Sequence, residues 1–190
     1  ADIGLRGRHN VLNVLAAGAI SGAALCLAGV DAAAAPEAMR AGLAGFTGVE
    51  HRLEFVREWQ GARWYNDSIA SAPERVVAAL RAFDEPIVLL LGGRDKQLPW
   101  DELAGLVRER VRHVVLFGEA GPLIRRALQA ASVAPERITE CGPLREALAA
   151  AARLAARGDV VLLSPGCTSF DEFKDFAERG ERFKAWVRAL

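Results

Sequence analysis

Apolar residues near the start of the chain recur at helical spacing: Leu12, Leu15, Ala16, Ala19, Ile20, Ala23 and Leu27. The pattern predicts a helix from Asn13 to Val30, buried in a folded domain, whose small residues let neighbouring elements approach closely. Asp31 and the alanines after it interrupt the pattern. Pro36 then opens a second helix with Glu37 in its first turn, where a carboxylate suits the positive end of the helix dipole. That helix stops near Gly42 to Gly48. No strand is expected before residue 50, so this part cannot close a sheet-based domain alone.

From His51 the pattern changes. Leu53 to Glu58 alternates apolar and polar positions, and after Gln60-Gly61 the stretch Ala62 to Asn66 completes a hairpin. Ser71, Pro73 and Glu74 open a helix to Phe83, with Ser71 as its cap. Ile87 to Leu91 is a continuous apolar run, the mark of a strand buried on both faces, and Gly92-Gly93 ends it. Two similar units follow: a helix from Asp101 to Arg110 with a strand from His113 to Phe117, then a helix from Gly121 to Ala131 with a short strand at Arg137 to Thr139. An Ala-rich helix from Pro143 to Arg157, a strand from Asp159 to Leu163 and a helix from about Phe170 to Leu190 close the chain. The expected fold class is α/β: a Rossmann-like, mostly parallel sheet with helices on both faces and the hairpin at one edge, preceded by a helical remnant. The boundary falls at residue 50, giving 1–50 and 51–190.

Composition narrows the partners. Twenty-four Lys and Arg balance 24 Asp and Glu across 190 residues, and the signs are interspersed, so no footprint for nucleic acid or an anionic membrane is expected. Val14 to Val30 carries no charge and follows Arg6 and Arg8, which mimics a signal peptide. It is too long and too rich in Ala and Gly for one, and too weakly apolar for a membrane span. Three unpaired cysteines, Cys26, Cys141 and Cys167, indicate a reducing compartment. His9, His51 and His113 have no metal-ligand spacing, so no metal site is expected.

In such sheets ligands bind beyond the carboxyl ends of the strands. Three loops there are polar: Asn66 to Ser71, Gly92 to Lys96, and Ser164 to Ser169. They offer an acid, a lysine, hydroxyls and helix N-termini, a combination suited to carboxylate or phosphate. Singly each has a plain structural role. Gly92-Gly93 matches no phosphate-binding fingerprint and reads as a tight turn; Ser169 reads as a helix cap, Lys96 as solvated, Asp67 as a turn residue. Cys167 has no base beside it and reads as a buried thiol.

The strings Gly7-Arg8-His9-Asn10-Val11-Leu12-Asn13, His51-Arg52, Asn66-Asp67-Ser68, Gly92-Gly93-Arg94-Asp95-Lys96, Leu163-Ser164-Pro165 and Ser169-Phe170-Asp171-Glu172-Phe173-Lys174-Asp175-Phe176, with Glu178-Arg179-Gly180, follow one another in an order that resembles the Mur ligases, and among them the glutamate-adding members. The resemblance spans the chain, but only the end of that family's central ATPase domain and its C-terminal domain. It implies a bacterial, cytoplasmic, ATP- and Mg2+-dependent acid–amino-acid ligase of peptidoglycan precursor synthesis. ATP would phosphorylate the carboxylate of UDP-N-acetylmuramoyl-L-alanine, and the amine of D-glutamate would attack the acyl phosphate. The protein's task is then positioning and electrostatics rather than covalent catalysis.

Carried onto this chain, the resemblance assigns Asn10, Asn13, Arg52 and Asp67 to the nucleotide, and Ser71, Lys96, Ser169, Phe170 and Phe176 to the amino acid. It assigns no catalytic residue and no metal ligand here, and Mg2+ would be held mainly upstream. Without the missing N-terminal and central domains the chain is expected to fold but not to catalyse. Helix capping is the plain alternative for Asn10 and Asn13, and a core-facing helical stripe for Phe170, Phe173 and Phe176; Phe173 is assigned to the core. One departure stands out: Ser68-Ile69-Ala70-Ser71 replaces the usual Ser-Lys-Ala-Thr, so Ile69 removes a cation from the substrate side. Lys96 and loop N–H groups are left to hold the glutamate carboxylates, with an altered stereochemical or amino-acid preference as a consequence. Other readings are another Mur-type ligase, one that uses L-glutamate for example, a folylpolyglutamate synthase-like ligase, or, from a different class, a non-catalytic flavodoxin-like binding module.

Overall fold

The computed structural model describes residues 7–29, 33, 35–44, 46 and 48–190. The chain divides into two compact units, 1–48 and 49–190.

The first unit holds helices α1 (Arg8–Leu27) and α2 (Ala35–Ala44). α1 begins at Arg8 rather than Asn13 and ends at Leu27, with Ala28 as its C-cap, short of the expected Val30; Val30 and Asp31 themselves lie outside the described residues. α1 was expected to be buried, and this is corrected: Leu12, Leu15, Ile20 and Leu27 are 57–91% exposed. The apolar and small residues are spread around the whole cylinder rather than along one stripe, so a ten-residue partner helix covers only part of it. Close approach through a small residue does occur, since a Cβ on Gly18 would lie 2.2 Å from Met39 Cε. Among the described residues no helix is long and apolar enough to cross a membrane.

The second unit is a six-stranded sheet flanked by helices. Its elements are β1 (Glu54–Trp59), β2 (Ala62–Asn66), α3 (Pro73–Leu80), β3 (Ile87–Gly92), α4 (Asp101–Arg110), β4 (Val111–Phe117), α5 (Gly121–Ala130), β5 (Ile138–Glu140), α6 (Leu144–Leu154), β6 (Val160–Gly166) and α7 (Phe176–Arg188). The strand order is β1-β2-β6-β3-β4-β5, with only the β1–β2 hairpin antiparallel. Every residue of β3 and β6 is buried, as the apolar runs Ile87 to Leu91 and Val160 to Leu163 require. Successive side chains of β3 serve opposite faces. Ile87, Leu89 and Leu91 join Val76, Leu80, Leu103 and Ile124 of α3, α4 and α5, whereas Val88 and Leu90 join Leu148, Phe183 and Val187 of α6 and α7. Each such aliphatic side chain contributes about 1.5–3 kcal/mol by leaving water.

Two expected helix starts move. Ser71 is not the cap of α3: Ala72 holds that position without a side-chain bond, and Pro73 enters at the first turn. α7 begins at Phe176 rather than Phe170, because the Asp175 carboxylate accepts the Glu178 N–H at 2.7 Å. Ser169 is therefore no helix cap, and Phe170, Phe173 and Phe176 do not share a helical face. Phe173 packs against the core, as assigned, while Phe170 is 60% exposed.

Candidate functional site

Strands β2, β6 and β3 are parallel neighbours, so the loops after Asn66, Gly92 and Gly166 leave the same edge side by side. Their backbones pack closely. Gly92 and Gly93 have φ of 152° and 121°, and a Cβ on them would lie 1.9 Å from the Phe117 carbonyl oxygen and 2.1 Å from that of Thr168. This Gly-Gly pair is what lets the β3 loop pass between the ends of β4 and β6.

Behind these loops lies Arg179, on α7 and fully buried. Its Nε donates to Ser68 Oγ at 3.0 Å, Nη2 to the carbonyls of Ser68 at 2.9 Å and Cys167 at 3.1 Å, and Nη1 to that of Thr168 at 3.0 Å. Ser68 Oγ in turn donates its O–H to the Phe176 carbonyl at 2.7 Å. One guanidinium thus ties the β2 loop, the β6 loop and the start of α7 together. Burial pulls its pKa down to about 10, opposed by the charge of Asp171, so it stays cationic at neutral pH. Its four hydrogen bonds go to neutral oxygens, and its field reaches the loops it holds.

Asp67 is buried at the end of β2, where its Oδ2 accepts from Ser164 Oγ at 2.7 Å and its Oδ1 from the Leu53 N–H at 3.2 Å. Burial pushes its pKa up to about 7, against the two hydrogen bonds and the charges of Arg52 and Arg75. Asn66 donates through Nδ2 to His51 Nδ1 and Glu54 Oε2, each at 3.0 Å, and its Oδ1 accepts the Ser68 N–H at 3.1 Å. Gly180 leaves room for this contact, since a Cβ there would lie 2.2 Å from His51 Nδ1. The Phe176 ring stands edge-on to His51, with centroids 5.9 Å apart.

Among the described residues Glu50, His51 and Glu181 are close enough to suggest a metal, but the Lys184 ammonium already sits among them. It lies 2.7 Å from Glu181, 3.0 Å from Glu54 and 3.7 Å from Glu50. Burial alone would lower the Lys184 pKa and raise that of Glu54; their mutual bond, with Glu181 on the lysine and the His51 N–H on the glutamate, reverses both directions. A second cation has no place there.

The structure brings together Lys96 and Ser71, which share a 3.1 Å hydrogen bond between Nζ and Oγ, and it buries Ser169 in the neighbouring loop. Lys96 itself is exposed, with its ammonium donating to that hydroxyl. Ile69 is half-buried in the β2 loop. Arg52 is exposed and acts on Asp67 through its charge. Asn13 is exposed on α1, in the other unit, and the Asn10 side chain lies outside the described residues. Neither asparagine caps α1, whose start is at Gly7 without a side-chain bond. Cys167 is buried and its thiol is pushed up to about 12 by burial and the charge of Asp95, which removes it as a nucleophile. Sequence reasoning gave Arg179 no role. The signal was present: Arg179, Phe183 and Val187 recur at helical spacing, which puts an arginine on the core face of α7. In a groove at the opposite edge of the sheet Asp84 pairs with Arg110, while Glu85 and Arg112 pair with Arg63 and Asp159 outside it.

Comparison with known sequences gives a match of residues 51–167 to the family described as Mur ligase, glutamate ligase domain. Among the curated relatives, a UDP-N-acetylmuramoylalanine--D-glutamate ligase of Roseiflexus sp. (strain RS-1) is 48% identical over the whole of this chain and 39% of its own length. The protein of the same name from Symbiobacterium thermophilum is 46% identical over the whole chain and 40% of its own length. The chain thus spans about two fifths of the relatives it matches. Among solved structures, Mycobacterium tuberculosis folylpolyglutamate synthase complexed with ADP and AMPPCP shares the fold at a TM-score of 0.63 and 20% identity, over 94% of this chain and 41% of that one. A UDP-N-acetylmuramoyl-L-alanyl-D-glutamate–2,6-diaminopimelate ligase does so at 0.59 and 18%, over all of this chain and 40% of that one.

Proposed function

The chain belongs to the Mur ligase family, whose glutamate ligase domain it carries, and on that premise we propose that it is the amino-acid-binding part of an ATP-dependent ligase joining D-glutamate to UDP-N-acetylmuramoyl-L-alanine in the bacterial cytoplasm. The observation that carries the reading is the hydrogen-bonded pair Lys96–Ser71, set among three loops, two of which a buried guanidinium holds together. Glutamate brings two carboxylates to a centre already crowded with phosphate. An ammonium, a hydroxyl and loop N–H groups favour those carboxylates and leave the amine free to attack. The described side chains include no activated nucleophile at this edge, in keeping with a site that orients its substrate and leaves bond formation to the reactants.

ATP supplies the phosphoryl group that activates the acceptor carboxylate. Arg52, exposed beside the buried Asp67, is suited to its anionic end, with Asp67 as a hydrogen-bond acceptor behind it. The family resemblance assigns Asn10 and Asn13 to the nucleotide as well. Mg2+ would be held mainly by residues upstream, the acidic cluster around His51 being closed by Lys184.

The test uses the full-length enzyme and phosphate release with D-glutamate, L-glutamate and other amino acids. Strong dependence on D-glutamate is expected, and Lys96→Ala should raise the KM for glutamate by at least about tenfold while leaving that for ATP within about twofold. Equal loss for both substrates would count against the assignment of Lys96. A second reading follows from Ile69: with the lysine of the usual motif absent, the preference shifts toward L-glutamate or another amino acid. Unchanged strict use of D-glutamate would exclude it.

A further inference from the structure

The segment Gly92 to Lys96 places an acid, Asp95, directly before the lysine of a site that has to receive anions. A free carboxylate there would oppose the same substrate that Lys96 attracts. In the structure both of its oxygens are engaged by N–H donors. Oδ2 accepts from the backbone N–H of Gln97 at 2.8 Å, and Oδ1 accepts from the Trp100 indole N–H at a long 3.4 Å. The first bond is an Asx turn that spans Lys96 and holds Gln97 in the left-handed region, at φ 59°. The second ties that turn to a buried side chain: Trp100 is 6% exposed, and it packs so closely on the end of β6 that a Cβ on Gly166 would lie 3.1 Å from its ring. On the other side of Asp95, the Arg94 N–H and carbonyl form an antiparallel bridge with Thr168, 3.0 Å in each direction. The backbone of Lys96 is thus held between two fixed points, and its ammonium reaches Ser71 Oγ.

Building on the function proposed above, we propose that Asp95 is a positioning residue for the amino-acid substrate: it aims the Lys96 ammonium through the Asx turn and the Trp100 anchor, and does not itself touch the substrate. The carboxylate serves as a structural acceptor, so its amide counterpart can replace it in part. A side chain that removes the acceptor frees the lysine to sample solvent.

The experiment combines kinetics of the full-length enzyme with hydrogen exchange of the Gln97 amide. Asp95→Ala should raise the KM for glutamate about tenfold, with kcat and the KM for ATP within about twofold of the unsubstituted enzyme. Asp95→Asn, whose Oδ1 still accepts the Gln97 N–H, should recover most of the loss, and Trp100→Phe, which keeps the ring but not its N–H, should fall between. Gln97 exchange should quicken in Asp95→Ala and return in Asp95→Asn, with no substrate present. Equal damage to ATP and glutamate, or no rescue by asparagine, would overturn the positioning role, and exchange indifferent to Asp95 would overturn the turn itself. Absence of any glutamate-dependent phosphate release from the unsubstituted enzyme would instead defeat the function proposed above, and the substrate named here with it.

Discussion

At the scale of single residues, Asp67 combines burial with a carboxylate's need for water. Its pKa near 7 in the folded chain, against an ordinary 3.8, means that the folded state holds the proton more tightly than the unfolded state. Its contribution to stability is therefore complete below about pH 4 and is lost as the pH rises through about 7, where a bare charge must be kept out of water. Asp67→Asn removes that titration and keeps an acceptor for the Leu53 N–H. The urea midpoint of the unsubstituted chain, taken relative to the variant, should fall between about pH 4 and pH 7 and level off above; a difference constant over that range would refute the account. The chemical types at this edge were readable from the sequence, since an acid, a lysine and hydroxyls cluster after predicted strands. Their roles were less so. Ser71 could as well have capped a helix; in the structure Ala72 holds that position, and Ser71 Oγ instead accepts from Lys96, on a loop 25 residues on.

At the scale of elements, apolar periodicity located the strands well, because β3 and β6 are buried on both faces and their runs have no competing explanation. Helix starts were harder, since they depend on which polar group finds the free N–H groups of the first turn. Phe170, Phe173 and Phe176 imitate a helical stripe, yet Asp175 and Glu178 set the start at Phe176. In this variant of a capping box, Asp175 accepts the Glu178 N–H and Glu178 accepts the Lys174 N–H at 3.0 Å. Asp175→Ala should cost about 1 kcal/mol, read from equilibrium unfolding. A change within about 0.3 kcal/mol would show that tertiary contacts, the four bonds of Arg179 foremost, fix the start of α7 without the cap.

At the scale of the whole molecule, both hydrophobic clusters of the second unit are built among the described residues from position 53 onward. Residues 49–190 expressed alone should therefore unfold in one cooperative transition, with a midpoint close to that of the longer chain; a broad or shifted transition would show that the first unit contributes to the core. The sequence by itself determined the α/β alternation, the hairpin at one edge and the polar loops at the carboxyl ends of the strands, because apolar periodicity and turn residues act over a few neighbours. The tertiary structure alone decided that β6 inserts between β2 and β3, which sets loops a hundred residues apart in the chain side by side. It also decided that Arg179 is buried among them and that the apolar positions of α1 are left exposed. Strand order, the pairing of a buried charge and the covering of a helix depend on which distant surface is available, and local pattern carries no information about that.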